Sequence, residues 1–193
     1  MMKATVILAL CAALAAPVFA EEPKTALLII DIQDFYFPGG KVPLVEPEAA
    51  AKNAGKVLAA FRAAGNPVVH VRHEFEPGGS IHASVAPVEG EKVFTKTEVS
   101  CFNGTKVLAH LKETGVEKLV IVGMQTHMCL EAATRAAHDL GFECVVVADA
   151  CATRDLTYGD RTVPAADVHA STLATLNRTY AKVVDTETFL SGE

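Results

Sequence analysis

Three side chains lie just past apolar runs, and their types together suit nucleophilic chemistry. Asp31 follows Leu27-Leu28-Ile29-Ile30, Lys96 follows residues 92–95, and Cys129 comes a few positions after residues 118–122. A carboxylate directly behind a buried strand is costly unless it is paired or used, which makes Lys96 its candidate partner. Taken alone, such a pair reads equally well as a structural ion pair tying strand ends together. Cys129 adds a nucleophile. In the first turn of a helix a thiol feels the positive end of the macrodipole, and a nearby ammonium further favours the reactive thiolate. Backbone N–H groups free at that helix start can also face a developing oxyanion. Nucleophile, cation, carboxylate and oxyanion donors would then converge on one carbonyl.

Convergence requires a scaffold that brings three distant positions to one edge. From Thr25 onward, apolar runs alternate with helix-like stretches, without repeat or low-complexity linker. The strand-like runs are 26–30, 67–71, 92–95, 118–122, 143–148 and 181–184. Helical stretches are expected at 47–64, with Pro47 in the first turn and Gly65 after it, and at 105–113, 127–140 and 165–179. A continuous aliphatic run such as 26–30 suits a central parallel strand buried on both faces. The alternation predicts a three-layer α/β/α sandwich around a mostly parallel, six-stranded, Rossmann-like sheet. Ligands in such sheets bind beyond the carboxyl ends of the strands, where strand order reverses, and all three candidates fall at that edge.

Residues 1–20 stand apart. Lys3 precedes an apolar core at 6–16, and Val18-Phe19-Ala20 ends the segment, the pattern of a cleavable secretory signal. The run is shorter than the ~20 residues of a spanning helix. Export to the periplasm or exterior is expected, leaving one domain at residues 21–193. The chain carries a formal charge of −6 and lacks a Lys/Arg cluster, which disfavours nucleic acid and, after signal cleavage, membrane surfaces as partners. Small molecules remain. Cys101, Cys129, Cys144 and Cys151 would stay in the mature protein, without CxxC or zinc-type spacing. Cys144, inside an apolar run, reads as a buried hydrophobe, while Cys101 and Cys151 are left open.

Four ordered motifs resemble the isochorismatase-like cysteine hydrolases. They are Leu27-Leu28-Ile29-Ile30-Asp31-Ile32-Gln33, Gly90-Glu91 through Lys96 with Phe102-Asn103-Gly104-Thr105, Val122-Gly123-Met124-Gln125-Thr126-His127-Met128-Cys129, and Val147-Ala148-Asp149-Ala150-Cys151-Ala152-Thr153. The resemblance covers nearly all of the mature chain. It implies an Asp-Lys-Cys triad at Asp31, Lys96 and Cys129, and a cis peptide between Met124 and Gln125. That bond would aim the N–H of Gln125, with that of Cys129, at the substrate oxygen. It further implies a homo-oligomer, no cofactor, and hydrolysis of a small amide or ureido compound through a thioester. The segments at 126–129, 153–155 and 162–169 look most like the nicotinamidase-related branch that includes streptothricin hydrolase.

Departures from the pattern matter too. Nicotinamidases carry a metal-binding D-x-H after the second strand, where this chain has His73 in place of the aspartate and Phe75 in place of the first histidine. No metal is therefore expected, and His70 and His73, three apart on a strand, should point to opposite faces. Gln33, Phe35, Phe37, Phe102 and His127 are the candidate substrate contacts; for the aromatics of the 35–37 loop, packing within the loop is the competing reading. His82 reads as a surface residue. Two further functions stay open: an enol-ether hydrolase using Asp31 as acid without the thiol, and a thiol or disulfide binding protein with Cys129 bridged to Cys101 or Cys151.

Overall fold

The run after Thr25 becomes β1 (Thr25–Ile30), whose apolar residues are at most 1% exposed. Its side chains divide by the strand period of two. Leu28 and Ile30 join one core cluster, and Leu27 and Ile29 the other. A run apolar at every position is thus what a strand covered on both faces requires. These features come from a computed structural model that describes residues 23–192. The export segment inferred at 1–20 lies outside the described residues.

The remaining elements are α1 (Pro47–Ala63), β2 (Val68–His73), β3 (Lys92–Lys96), α2 (Val107–Glu113), β4 (Lys118–Met124), α3 (Glu131–Asp139), β5 (Glu143–Ala152), β6 (Leu156–Tyr158), β7 (Arg161–Val163), α4 (Ala165–Leu176), β8 (Lys182–Val184) and α5 (Thr186–Ser191). Six strands form one sheet in the order β3-β2-β1-β4-β5-β8, and every pairing is parallel. The α1 residues Ala54, Leu58 and Phe61, with Phe189 of α5, pack on the Leu27 face. Leu111 of α2, Ala133 and Ala137 of α3, and Leu173 and Leu176 of α4 pack on the Leu28 face. Truncating a fully buried side chain such as Leu28 to Ala would cost about 3 kcal/mol. The three-layer α/β/α sandwich is the observed architecture.

From β1 the chain winds outward to β2 and β3, then returns to lay β4 on the other side of β1. The reversal of strand order therefore falls between β1 and β4. Their approach is tight: Gly123 pairs with Ile30 at φ 138°, and a Cβ there would meet the Ile30 carbonyl oxygen at 2.0 Å. Only glycine closes this register, because the backbone conformation and the missing side chain are both needed.

Several boundaries differ from expectation. The helix expected at 127–140 does not start as an α-helix: Thr126–Leu130 form a π-type turn that leads into α3. The Gln125 carbonyl accepts the N–H of Met128 (3.0 Å) and of Leu130 (3.3 Å), the latter an i to i−5 bond. β2 runs on to His73 and β5 to Ala152. The antiparallel pair β6 and β7 and the C-terminal α5 were not anticipated. Among the described residues no helix is long and apolar enough to cross a membrane.

Candidate active site

Each functional side chain leaves the carboxyl end of a strand. Asp31 follows β1 in the left-handed region at φ 49°, a conformation that Asp tolerates better than most residues and that turns the chain sharply off the strand. Lys96 is the last residue of β3, and Cys129 sits in the π-type turn after β4. π-turns inserted in helices recur at functional sites. The sheet brings the three together: Lys96 Nζ lies 2.7 Å from Asp31 Oδ2 and 3.3 Å from Cys129 Sγ. Asp31 is 0%, Lys96 2% and Cys129 6% exposed, so their interactions act with little solvent screening.

Burial decides how protons are distributed. It raises the Asp31 pKa above the ordinary carboxylate value, with Lys96 only partly offsetting it. On Lys96 burial works downward, but the charges of Asp31 and Cys129 outweigh it and hold the ammonium above the ordinary lysine value. On Cys129 burial, then the Asp31 charge, push the thiol up to about 12 against the pull of Lys96. This corrects the expectation of a ready thiolate. The neighbouring carboxylate and the loss of water outweigh the cation, which favours the neutral thiol at rest and requires its proton to be removed during attack.

The Met124–Gln125 peptide bond is cis. The Gln125 side chain is 4% exposed and bridges two groups, its Nε2 donating to the Tyr36 hydroxyl (3.3 Å) while its Oε1 accepts from Arg154 Nε (3.1 Å). His127 Nδ1 pairs with Thr153 Oγ1 at 2.6 Å, and Thr126 Oγ1 with His169 Nδ1 at 2.9 Å, tying the turn to β5's end and to α4.

Gln33, Phe35 and Phe37 are buried, and Phe102 is half-buried. Gln33, expected as a substrate contact, is 0% exposed and its amide is fully engaged by backbone. Nε2 donates to the carbonyls of His73 (2.9 Å) and Gly79 (2.7 Å), and Oε1 accepts the His73 N–H (2.7 Å). It clamps the end of β2 to the following loop. Phe35 packs on Tyr36 and Phe75, with ring centroids 4.1 and 4.2 Å apart. Phe37 stacks on His82 at 3.7 Å, so that histidine covers an aromatic ring rather than standing free. Phe102 is half-buried and stacks on Phe142 at 6.3 Å.

His70 and His73 do take different environments. His70 is fully buried with Nε2 2.8 Å from Glu91 Oε2, whereas His73 Nδ1 lies 3.1 Å from Lys96 Nζ. Among the described residues no group of three His, Cys, Asp or Glu side chains could hold a metal ion. All four described cysteines are free thiols, and Cys151 Sγ donates to the Val147 carbonyl at 3.2 Å. Sequence reasoning missed His73 and Arg154 as neighbours of the site. The register of β2 on β3, which sets His73 beside Lys96, is a through-space fact.

A parallel α/β sheet with an acid, a lysine and a cysteine meeting at its switch point defines a class of hydrolase folds. The Isochorismatase domain family matches residues 25–188, and the chain belongs to the isochorismatase family. The isochorismatase family protein YddQ of Bacillus subtilis is 48% identical over 177 residues, covering 86% of this chain and 98% of its own. A streptothricin hydrolase of Streptomyces noursei is 33% identical, over 80% of this chain and 66% of its own. The maleamate amidohydrolase of Pseudomonas putida is 30% identical, with 83% of each chain covered. A solved structure from Oleispira antarctica, assigned to the isochorismatase hydrolases, superposes with a TM-score of 0.85 at 48% identity, covering 90% of this chain and all of the other.

Proposed function

We propose that this isochorismatase-family hydrolase is a thiol amidohydrolase that cleaves the C–N bond of a small carboxamide or ureido compound. The observation that carries the reading is the buried cluster in which one ammonium lies 2.7 Å from a carboxylate and 3.3 Å from a thiol. Asp31 takes the thiol proton as Sγ adds to the carbonyl carbon, and Lys96 stabilises the sulfur as it becomes negative. The N–H groups of Gln125 and Cys129 hold the oxyanion. Protonated Asp31 returns its proton to the departing amine or ammonia, leaving a thioester on Cys129. Ionised again, it activates the water that releases the acid. Maleamate amidohydrolase, an amidohydrolase by name, supports the bond type, and streptothricin hydrolase supports hydrolysis. His127, Phe102 and Arg154, all half-buried, are the contacts proposed for substrate, without a cofactor. Export with removal of residues 1–20 and self-association belong to the same reading, and are tested by mass and sedimentation of the secreted protein.

The test is a panel of amides, ureido compounds and isochorismate, assayed with and without iodoacetamide. Turnover of an amide or ureido compound that alkylation abolishes is expected. A second reading draws on the raised Asp31 pKa, which suits an acid as well as a base: Asp31 would protonate an enol ether while the thiol stays idle. The two differ in pH sign. An amidohydrolase needs ionised Asp31 and loses kcat/KM as pH falls through that pKa, whereas an enol-ether hydrolase needs the protonated form and loses it as pH rises. Alkylation-insensitive activity on isochorismate alone would select the second.

A further inference from the structure

The Lys96 ammonium has more acceptors than protons. Asp31 Oδ2 (2.7 Å), His73 Nδ1 (3.1 Å), the Glu98 carbonyl (3.1 Å) and Cys129 Sγ (3.3 Å) all lie within reach of its three N–H bonds. Two of the four change charge during the proposed reaction, since a proton leaves Cys129 and arrives at Asp31. The other two, an imidazole and a carbonyl, do not. We propose that His73 is a positioning residue for the thiol chemistry, its Nδ1 acting with the Glu98 carbonyl to hold two ammonium protons fixed. The third proton is thereby aimed between Asp31 and Cys129, and moves from carboxylate to sulfur as the thiol proton moves from sulfur to carboxylate. Nothing is lost from Lys96 in this exchange, so the ammonium keeps its charge throughout.

The surroundings of His73 are built for this. Its N–H and carbonyl are both clamped by the buried Gln33 amide, at 2.7 and 2.9 Å. The next residue's N–H, that of Glu74, bonds the Lys96 carbonyl at 2.8 Å, so backbone register and side-chain contact fix the same pair. Burial and then the Lys96 charge depress the imidazole pKa below the ordinary histidine value. With the ring neutral and Nδ1 3.1 Å from an ammonium that can only donate, Nδ1 accepts and the ring proton sits on Nε2.

The inference rests on the thiol reading of the site, and its test separates the two. His73→Leu and His73→Asn are compared with the wild type for kcat, KM and the rate of Cys129 alkylation by iodoacetamide, after thermal melts show both variants folded. A lysine displaced by an ångström costs on the order of 10²-fold in rate. His73→Leu should therefore lower kcat by about that factor with KM within about threefold, and slow alkylation in parallel. His73→Asn, whose amide oxygen can accept the same N–H, should recover most of both. Wild-type kcat and alkylation rates in His73→Leu would overturn the inference while leaving the amidohydrolase standing. So would an Asn variant as impaired as Leu. Should no amide be turned over at all, alkylation alone still decides: slowing by Leu with rescue by Asn supports the role, and equal rates in all three proteins refute it.

Discussion

Two carboxylates, Asp31 buried and Glu91 half-buried, face cations in this fold, and they have opposite character. Glu91, just before β3, is held bidentately by Arg62 at 2.7 and 2.8 Å, accepts the Val88 N–H at 3.0 Å and meets His70 Nε2 at 2.8 Å. Burial alone would raise its pKa, but Arg62, the Val88 N–H and His70 outweigh it and hold the carboxyl at about 2. Asp31, at the other end of the sheet, has one ammonium and one thiol for company, and its pKa is raised. A saturated carboxylate is a fastener; an undersatisfied one is poised to accept a proton. Counting donors around each acid supports reading Arg62–Glu91 as a structural pair and Lys96–Asp31 as the pair proposed to react, where sequence alone left both readings open.

Removing groups at the two ends should give opposite profiles. The largest effect is expected at Cys129: Ala or Ser there should reduce turnover by about 10⁴-fold or more with the melting temperature unchanged within a degree or two, since the side chain is small and the nucleophile is lost. Full activity in either variant would dissolve the contrast. Lys96→Met should abolish turnover comparably and also cost about 3 kcal/mol in chemical denaturation, because Asp31 would be buried without a counterion. Glu91→Gln should do the reverse, keeping kcat within about threefold while removing about 2 kcal/mol. A large kcat loss in Glu91→Gln would show that the two clusters are coupled.

The contrast extends to pH. Since the folded Glu91 pKa lies below the unfolded one, its stabilisation is complete above about 4.5 and is lost as pH falls toward about 2. Denaturation of the wild type should weaken across that window, and Glu91→Gln should show a smaller decline. Asp31 works with the other sign. Its raised pKa means that kcat/KM falls on acidification at a pH above the ordinary carboxylate value of 3.8. The smallest effect concerns Gln33→Leu, which leaves the triad untouched but frees the end of β2. A several-fold loss in kcat with little change in KM is expected, measured against the same substrate.

Much of this arrangement is legible in the residues. The aliphatic run 27–30 with Asp31 after it, and the glycine-closed helices, fix strand, layer and edge, because burial on two faces leaves a distinctive pattern in one dimension. Proximity of Lys96 to Asp31 follows from the edge on which strands end. What did not follow was anything set by through-space desolvation or register. The Cys129 thiol reads as a favoured thiolate from helix dipole and cation, but its burial beside Asp31 reverses that. Gln33 looks like a site residue and proves to be a backbone clamp, since its partners, His73 and Gly79, are 40 and 46 residues away. The β6–β7 hairpin lacks an apolar run, its Tyr158 being 87% exposed, and only the Gly159-Asp160 turn between Thr157 and Thr162 signals it. α5 has an equally local signal in Asp185, which caps the Thr188 N–H at 2.7 Å.

The central claim is that the Cys129 sulfur carries the acyl group. Acid quenching of the enzyme during turnover of an amide substrate, followed by intact-mass and peptide mass spectrometry, addresses it directly. The expected result is an acyl adduct on the Cys129 peptide that is absent in Asp31→Asn. Undiminished turnover after every Cys129 has been alkylated, with no adduct at any time point, would contradict it.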